Sequence, residues 1–540
     1  MHWPVGNLTG NLSSLPASAQ RMLKGLARAA VVGLTLSACA THSPTMPNGV
    51  LPSPTLAATQ ADEREAYPAK DSPTHLPTPT SVPSPTPTWP APIYATPTLD
   101  PPRDMPTGAT LNATYTVRRG DTLSGIAIAV GTTVEELLAL NNLRNPDRLM
   151  EGQTLTVALP ITGQAPSIKL IPDSELVNGP SAVGFDVEQF VASRAGYLAR
   201  HLEKVNNEWL TGAQIVVRVS EQHSVNPRLL IALLEYVGGW LDNPQPSAEQ
   251  RAWPMGYRRT NLEGLYIQLV WAAARLNEGY YGWRLNNRLW VRLDDDTRAF
   301  MGNGINAGTA GLQNYLAAIH TRATWLDALG EAPGSFIQTY RRLFGNPWQY
   351  DIGPIVPAGV TQPELSLPWP EGETWLFTGG PHSAWGKGTP WGALDFTPQT
   401  VQGCANLREW VTAVADGVIT RSRWGEVVLS LDPSGDDRIG WSVLYLHIHT
   451  QNRVAVGTRV KRGDRIGHPS CEGGVSSGAH VHLARRYNGE WLNAVGEVPF
   501  ELGGWTPSEG SVEYDGTLTK GNLTREACEC KQPNLNGVSW

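Results

Sequence analysis

The sequence is poor in cysteine, in basic runs and in uninterrupted apolar stretches. Lysine and arginine number 42 against 49 acidic residues, for a formal charge of −7. With no Lys/Arg-rich run standing out, the chain lacks the electrostatic footprint of a nucleic-acid-binding protein. Its N-terminal apolar run, residues 29–38, is too short to cross a bilayer as a helix, which takes about 20 residues. The five cysteines are an odd number, so they cannot all pair within the chain. Against these shortages stand 43 prolines, many crowded into one segment, and 20 tryptophans, which suit carbohydrate or peptide binding and equally suit ordinary cores. A chain of 540 residues has room for roughly two to four domains.

The odd cysteine is accounted for near the N-terminus. Arg21, Lys24 and Arg28 precede the apolar run, the layout of a secretory signal. The run closes with Leu36-Ser37-Ala38-Cys39, which resembles a bacterial lipobox. The resemblance implies that the Cys39 thiol takes a diacylglycerol, that residues 1–39 are a lipoprotein signal, and that the chain is anchored on the extracellular face of a bacterial membrane. A plain signal peptide cut elsewhere is the alternative. Met22-Leu23-Lys24 would make a tidier start. Residues 40–112 are rich in Pro and Thr, as in Pro83-Ser84-Pro85-Thr86-Pro87. Proline fixes φ and removes donors, so this segment is expected to be extended and coreless. At ~3 Å per residue it could reach on the order of 200 Å, enough to carry the following domains well out from an anchoring surface. A spacer of no selected length fits equally well.

Residues 113–159 change texture. A strand at Tyr115-Thr116-Val117, a Gly120-Asp121 turn, two short helical patterns and a closing strand at Leu155-Thr156-Val157 resemble the LysM module, a β-α-α-β unit. The resemblance implies binding of N-acetylglucosamine polymers such as peptidoglycan, in a groove between residues 120–124 and 142–148.

Residues 180–355 read as a helical domain. Phe190, Val191, Tyr197, Leu198, Leu202 and Val205 predict one helix face. Asn226-Pro227 predicts an N-cap followed by proline at the first helical position. The string Val225-Asn226-Pro227-Arg228-Leu229-Leu230 is similar to the start of soluble lytic transglycosylases, which have a lysozyme-like fold. Where that family has its general-acid glutamate this chain has Val237. Glu235 lies two residues early, about 200° away around a helix. The domain is therefore expected to be non-catalytic, positioning or holding glycan. A dual hydrolase using Glu235 as acid is the alternative.

Residues 365–505 are strand-rich with glycine turns. His480 and His482 are two apart, so on a strand they share a face while Val481 and Leu483 take the other. By the same alternation Asp395 opposes Leu394 and Phe396, and His447 shares a face with Tyr445 and His449. These segments, with Phe377-Thr378-Gly379-Gly380-Pro381-His382, resemble the lysostaphin-type and β-lytic zinc endopeptidases. The resemblance implies zinc held by His382, Asp395 and His482, His480 as general base, and His447 stabilising the tetrahedral intermediate. It implies hydrolysis of peptide bonds in peptidoglycan cross-links or stem peptides. Lysostaphin-like members place the first His four residues before the Asp, where this chain has Trp391; the spacing from His382 to Asp395 is that of the β-lytic arrangement.

Of the remaining cysteines, Cys404 and Cys471 flank the site segments and are expected to pair, with a stabilisation of roughly 4 kcal/mol. Cys528 and Cys530, one residue apart, are poorly placed to bond each other, and no ligand spacing supports metal binding by cysteine. His449 reads as a surface residue; His223, His320 and His468 fit no constellation. Residues 506–540 read as a C-terminal tail. The expected whole is a multidomain α+β protein: a small β-α-α-β module, an all-α middle domain and a mainly antiparallel β peptidase domain. Its expected partners are peptidoglycan and, through lipid, the membrane. The competing reading is a non-catalytic regulator of another cell-wall hydrolase.

Overall fold

A computed structural model describes Arg103, Met105 and residues 110–540, apart from 119–120, 131, 147, 401–402 and 405–407. The signal, Cys39, nearly all of the proline-rich spacer and Gly120 lie outside the described residues. Among those described, no helix is long and apolar enough to cross a membrane.

The first module is a β-α-α-β unit. Strands β1 (Thr110–Thr116) and β2 (Thr154–Pro160) pair antiparallel along their whole length. Helices Leu123–Val130 and Val134–Leu140 lie between them in sequence, the second closed by a capping box of Thr133 and Glu136. Ile126, Leu137, Leu155 and Val157 fill its core.

The middle region is helical but not all helix. Helix Pro227–Gly238 starts as its sequence demands, with the Asn226 side chain accepting from Arg228 N. Helix Gly212–His223 is capped by Thr211, and Leu265–Asn286 packs on Ala307–Ala317. Two hairpins interrupt this pattern: β3 (Leu202–Val205) with β4 (Glu208–Thr211), and β5 (Trp290–Arg292) with β6 (Arg298–Phe300). Leu202 and Val205 therefore belong to a strand and not to a helix face. The reason is local: Asn206 and Asn207 take φ of 49° and 70°, the left-handed pair that a two-residue hairpin turn needs and asparagine tolerates.

The C-terminal region is built on one antiparallel sheet of nine strands. Its strands are β7 (Thr374–Ser383), β8 (Trp391–Pro398), β10 (Gly417–Arg423), β11 (Glu426–Ser430), β12 (Trp441–Leu446), β13 (Arg459–Val460), β15 (Val481–Tyr487), β16 (Glu490–Trp491) and β20 (Gly537–Ser539); the order is β13-β10-β11-β12-β15-β8-β7-β20, with β16 on β15. Short β9 (Val411–Thr412) and β14 (Arg465–Gly467) pair apart. A meander of β17 (Thr506–Glu509), β18 (Gly516–Lys520) and β19 (Leu523–Glu526) follows.

Strand alternation gives this sheet two buried faces. Leu394, Phe396, Val427, Leu429, Val443, Tyr445, Val481 and Leu483 fill a core with Trp369, Trp375 and Phe377. Ala393, Val428, Leu444, Ala484 and Trp491 face the other way, into the core of the helical region. Polar groups of the helical region reach the sheet too: Tyr280 Oη donates to Glu490 at 3.2 Å and Ser224 Oγ bonds to Gly489 O.

Two expectations are corrected here. Residues 506–540 are no tail, because β20 pairs with β7 and completes the sheet beside a strand of the site. Cys528 and Cys530 are bonded to each other, as are Cys404 and Cys471. The chain folds tightly at 528–530, its Cα atoms 5.1 Å apart, with Asn536 Nδ2 donating to the carbonyls of both residues.

Candidate metal centre and catalytic cleft

Asp395 and His482 are direct cross-strand partners on β8 and β15. Both project from the sheet face that packs on the helical region, since their neighbours Leu394, Phe396, Val481 and Leu483 occupy the opposite core. His382 arrives from β7, where bulges between Phe377 and Ser383 shift the register against β8. Gly379 is required there: a Cβ would meet Asp395 Oδ2 at 2.7 Å.

The three residues converge in a buried cluster. His382 Nε2 lies 3.3 Å and His482 Nδ1 3.2 Å from Asp395 Oδ1, and the two ring nitrogens are 3.0 Å apart. Backbone carbonyls set the rings: His382 Nδ1 lies 2.8 Å from Gly380 O, and His482 Nε2 lies 3.0 Å from Ala384 O. A carbonyl only accepts, so those nitrogens carry the hydrogens and the opposite ones present lone pairs to Asp395. Three acceptors thus crowd together, and Asp395 Oδ1 is buried with no hydrogen-bond donor. Acceptors packed this way repel unless a cation sits among them. Two imidazoles and a carboxylate make the three-ligand protein donor set that catalytic zinc takes.

His480 and His447 stand beside this cluster, outside the ligand triad. Their ring centres are 4.4 Å apart, and His480 Nε2 is 3.8 Å from Asp395 Oδ2. His480 is half-buried, with Nδ1 donating to Gly478 O at 2.8 Å. His447 is buried and its Nδ1 donates to Glu472 O at 2.7 Å. Burial, with His480 and His482 adding, pushes His447 down to about 3, so its ring is neutral. The expected strand phase at His447 is corrected. Strand β12 ends at Leu446, and His447 adopts φ of 66°, which takes its ring off the alternation. Cys471 precedes Glu472, and its bond to Cys404 ties down the segment whose carbonyl holds His447.

Sequence reasoning missed Glu513 and Tyr514. Tyr514 stacks on the His382 ring at 4.2 Å, and the Glu513 carboxylate accepts from Ser383 N and Oγ. They lie some 130 residues beyond His382, and no local pattern ties them to it. In the helical region, Glu235 is occupied: its carboxylate accepts from Leu241 N at 2.8 Å and pairs with Arg342 at 3.0 Å. His449 is half-buried 3.6 Å from Glu472, His468 is buried against Trp410, His223 is fully enclosed, and His320 bonds Tyr236.

Comparison with known families divides the chain into three ordered segments. Residues 115–158 match the LysM domain, residues 169–358 the N-terminal domain of LasA, and residues 401–494 peptidase family M23. Protease LasA of Pseudomonas aeruginosa (strain UCBPP-PA14) is 28% identical over 370 residues, covering 65% of this chain and 81% of that protein. The beta-lytic metalloendopeptidase of Achromobacter lyticus is 29% identical over 171 residues, covering 30% and 42% respectively. The solved structure of the M23 metalloprotease pseudoalterin is 27% identical and covers 32% of this chain and 96% of its own, with a TM-score of 0.27.

Proposed function

We propose that this chain, a zinc metalloendopeptidase whose C-terminal domain is of peptidase family M23 and which carries a LysM domain, hydrolyses peptide bonds in the cross-links or stem peptides of peptidoglycan while the LysM module holds the glycan. The observation that carries the reading is the buried triad of His382, Asp395 and His482 with two further histidines beside it. A regulator that has lost catalysis has no use for a complete donor set.

Zinc in this site supplies Lewis-acid polarisation of the scissile carbonyl and lowers the pKa of a water toward neutrality. His382 Nε2, Asp395 Oδ1 and His482 Nδ1 would hold it, each ring locked by a carbonyl behind it. His480 Nε2 is an acceptor, because Nδ1 carries the hydrogen; it takes the proton from the attacking water. His447 Nε2 is an acceptor for the same reason, so a donor role toward the oxyanion needs the proton to reach His447 first. The proton taken up by His480 then passes to the leaving amine, and His447, its ring centre 4.4 Å from that of His480, lines the cleft beside it on the side where the oxyanion forms.

The helical region serves as support: Glu235 is committed to Arg342 and the backbone, which leaves it no role as an acid. Lipidation at Cys39, with the proline-rich segment as spacer, would place the enzyme outside the membrane and within the wall. The test is zinc content together with digestion of purified peptidoglycan, the new amino termini identified by mass. Zinc-loaded protein that binds the wall and releases none would defeat the reading.

A further inference from the structure

The hairpin joining β10 and β11 turns at Trp424 and Gly425, with φ of 52° and 78°. This is the left-handed pair of a tight two-residue turn, where asparagine or glycine is usual and a bulky aromatic is an outlier. The helical region grips the indole. Trp424 Nε1 donates to Glu208 at 2.7 Å, and the buried Arg218 guanidinium lies 3.7 Å over the ring. Arg218 Nε and Nη1 have no hydrogen-bond acceptor, and the guanidinium is set against aromatic faces, 3.7 Å from the Trp424 ring centre and 5.2 Å from that of Tyr266. The neighbouring Arg423 pairs with Glu221.

On its other side the turn backs onto the site. A Cβ at Gly425 would meet Glu472 C and Gly473 N at 2.5 Å, and one at Gly473 would meet Trp424 O at 2.7 Å. Gly425 O accepts from Ile448 N at 2.8 Å. Glu472 O is the acceptor for His447 Nδ1, and His447 O accepts from Ser470 N at 2.7 Å. His447 is itself in a left-handed conformation, which persists only where the surroundings enforce it.

Resting on the catalytic role proposed above for His447, we infer that Trp424 is a positioning residue through which the helical domain orients that histidine. Glu208 and Arg218 hold the indole, the 424–425 turn fixes the 472–473 backbone, and the Glu472 carbonyl fixes the His447 tautomer. The helical domain thereby works as a part of the peptidase.

The test uses the full zinc-loaded chain. Trp424→Asn supplies a residue that favours the turn and removes the indole, so the hairpin is kept and the grip is lost. The expected result is a kcat on purified peptidoglycan lower by roughly 10- to 100-fold, the effect of a small misplacement of a reacting group. The half-saturating substrate concentration and the zinc content stay the same. In nitrogen-15 spectra of histidine-labelled protein, the His447 ring moves from a fixed Nδ1–H tautomer toward a mixture. Glu208→Gln keeps an acceptor for the indole N–H and retains the rate, whereas Glu208→Leu loses part of it. An unchanged His447 signal in Trp424→Asn overturns the inference whatever the rate does, and so does a raised rate. If His447→Ala cuts at the wild-type rate, the catalytic reading of His447 has failed, and the ring signal alone then decides whether Trp424 positions it.

Discussion

Replacing His480 by alanine should stop cleavage and leave zinc in place. Its Nε2 lies 3.8 Å from Asp395 Oδ2 and outside the triad of His382, Asp395 and His482, so the donor set survives its removal. The groups it leaves behind, Gly478 O and Ser476 Oγ, bond to each other at 2.7 Å, and the ring is half-buried, so the cost to stability is small. The catalytic cost is that of a general base, about 10²- to 10⁴-fold or roughly 3–5 kcal/mol of barrier. His482→Ala differs in kind: it removes Nδ1 from the cluster, leaves two protein ligands, and should lose both zinc and activity. The assay pairs zinc content by mass spectrometry with release of amino groups from purified peptidoglycan. Loss of zinc from His480→Ala, or retention of it in His482→Ala, would falsify the division of roles.

Chelation should lower the melting temperature, because binding at a thousandfold excess over Kd contributes about 4 kcal/mol to the folded state; identical melts with and without chelator, zinc content being verified, would count against a site preformed by the fold. Opening the Cys404–Cys471 loop with a double serine variant should cost roughly 4 kcal/mol by loop entropy, read by urea titration, and should slow cleavage as the Glu472 segment loosens. Burial pushes His223 down to about 4. The unfolded chain takes up a proton there below about pH 6.5 that the folded chain refuses, so stability falls as pH drops from 6.5 toward 4, by about 3 kcal/mol. His223→Gln should flatten that part of the acid denaturation curve, and an unchanged curve would mean that His223 is not the group responsible. Glu235→Gln should leave wall lysis intact, and loss of glycan-strand cleavage in that variant would make the helical region an enzyme.

Much of the local structure is legible in the sequence because its causes are local. Asn226-Pro227 starts a helix, Thr133 with Glu136 caps another, and the alternation around Asp395 and His482 assigns each residue to a sheet face. What is not legible depends on contacts between distant segments. His447 leaves the strand rhythm because Gly425 and Glu472 close around it, and neither shows in the pattern Val443-Leu444-Tyr445-Leu446-His447. Glu513 and Tyr514 reach Ser383 and His382 from the loop between β17 and β18. Asn206-Asn207 is a visible turn signal, yet the apolar spacing from Phe190 to Val205 ahead of it reads as one helix face.

The shared packing of the sheet bears on how such enzymes can be recombined. Val428, Leu444, Ala484 and Trp491 belong to the same core as the helices, on the face that also carries Asp395 and His482. A chimaera that grafts the M23 segment alone onto a foreign targeting module would expose these apolar side chains to water next to the catalytic cleft, a patch that invites aggregation. The transplantable unit is the helical region and the sheet together.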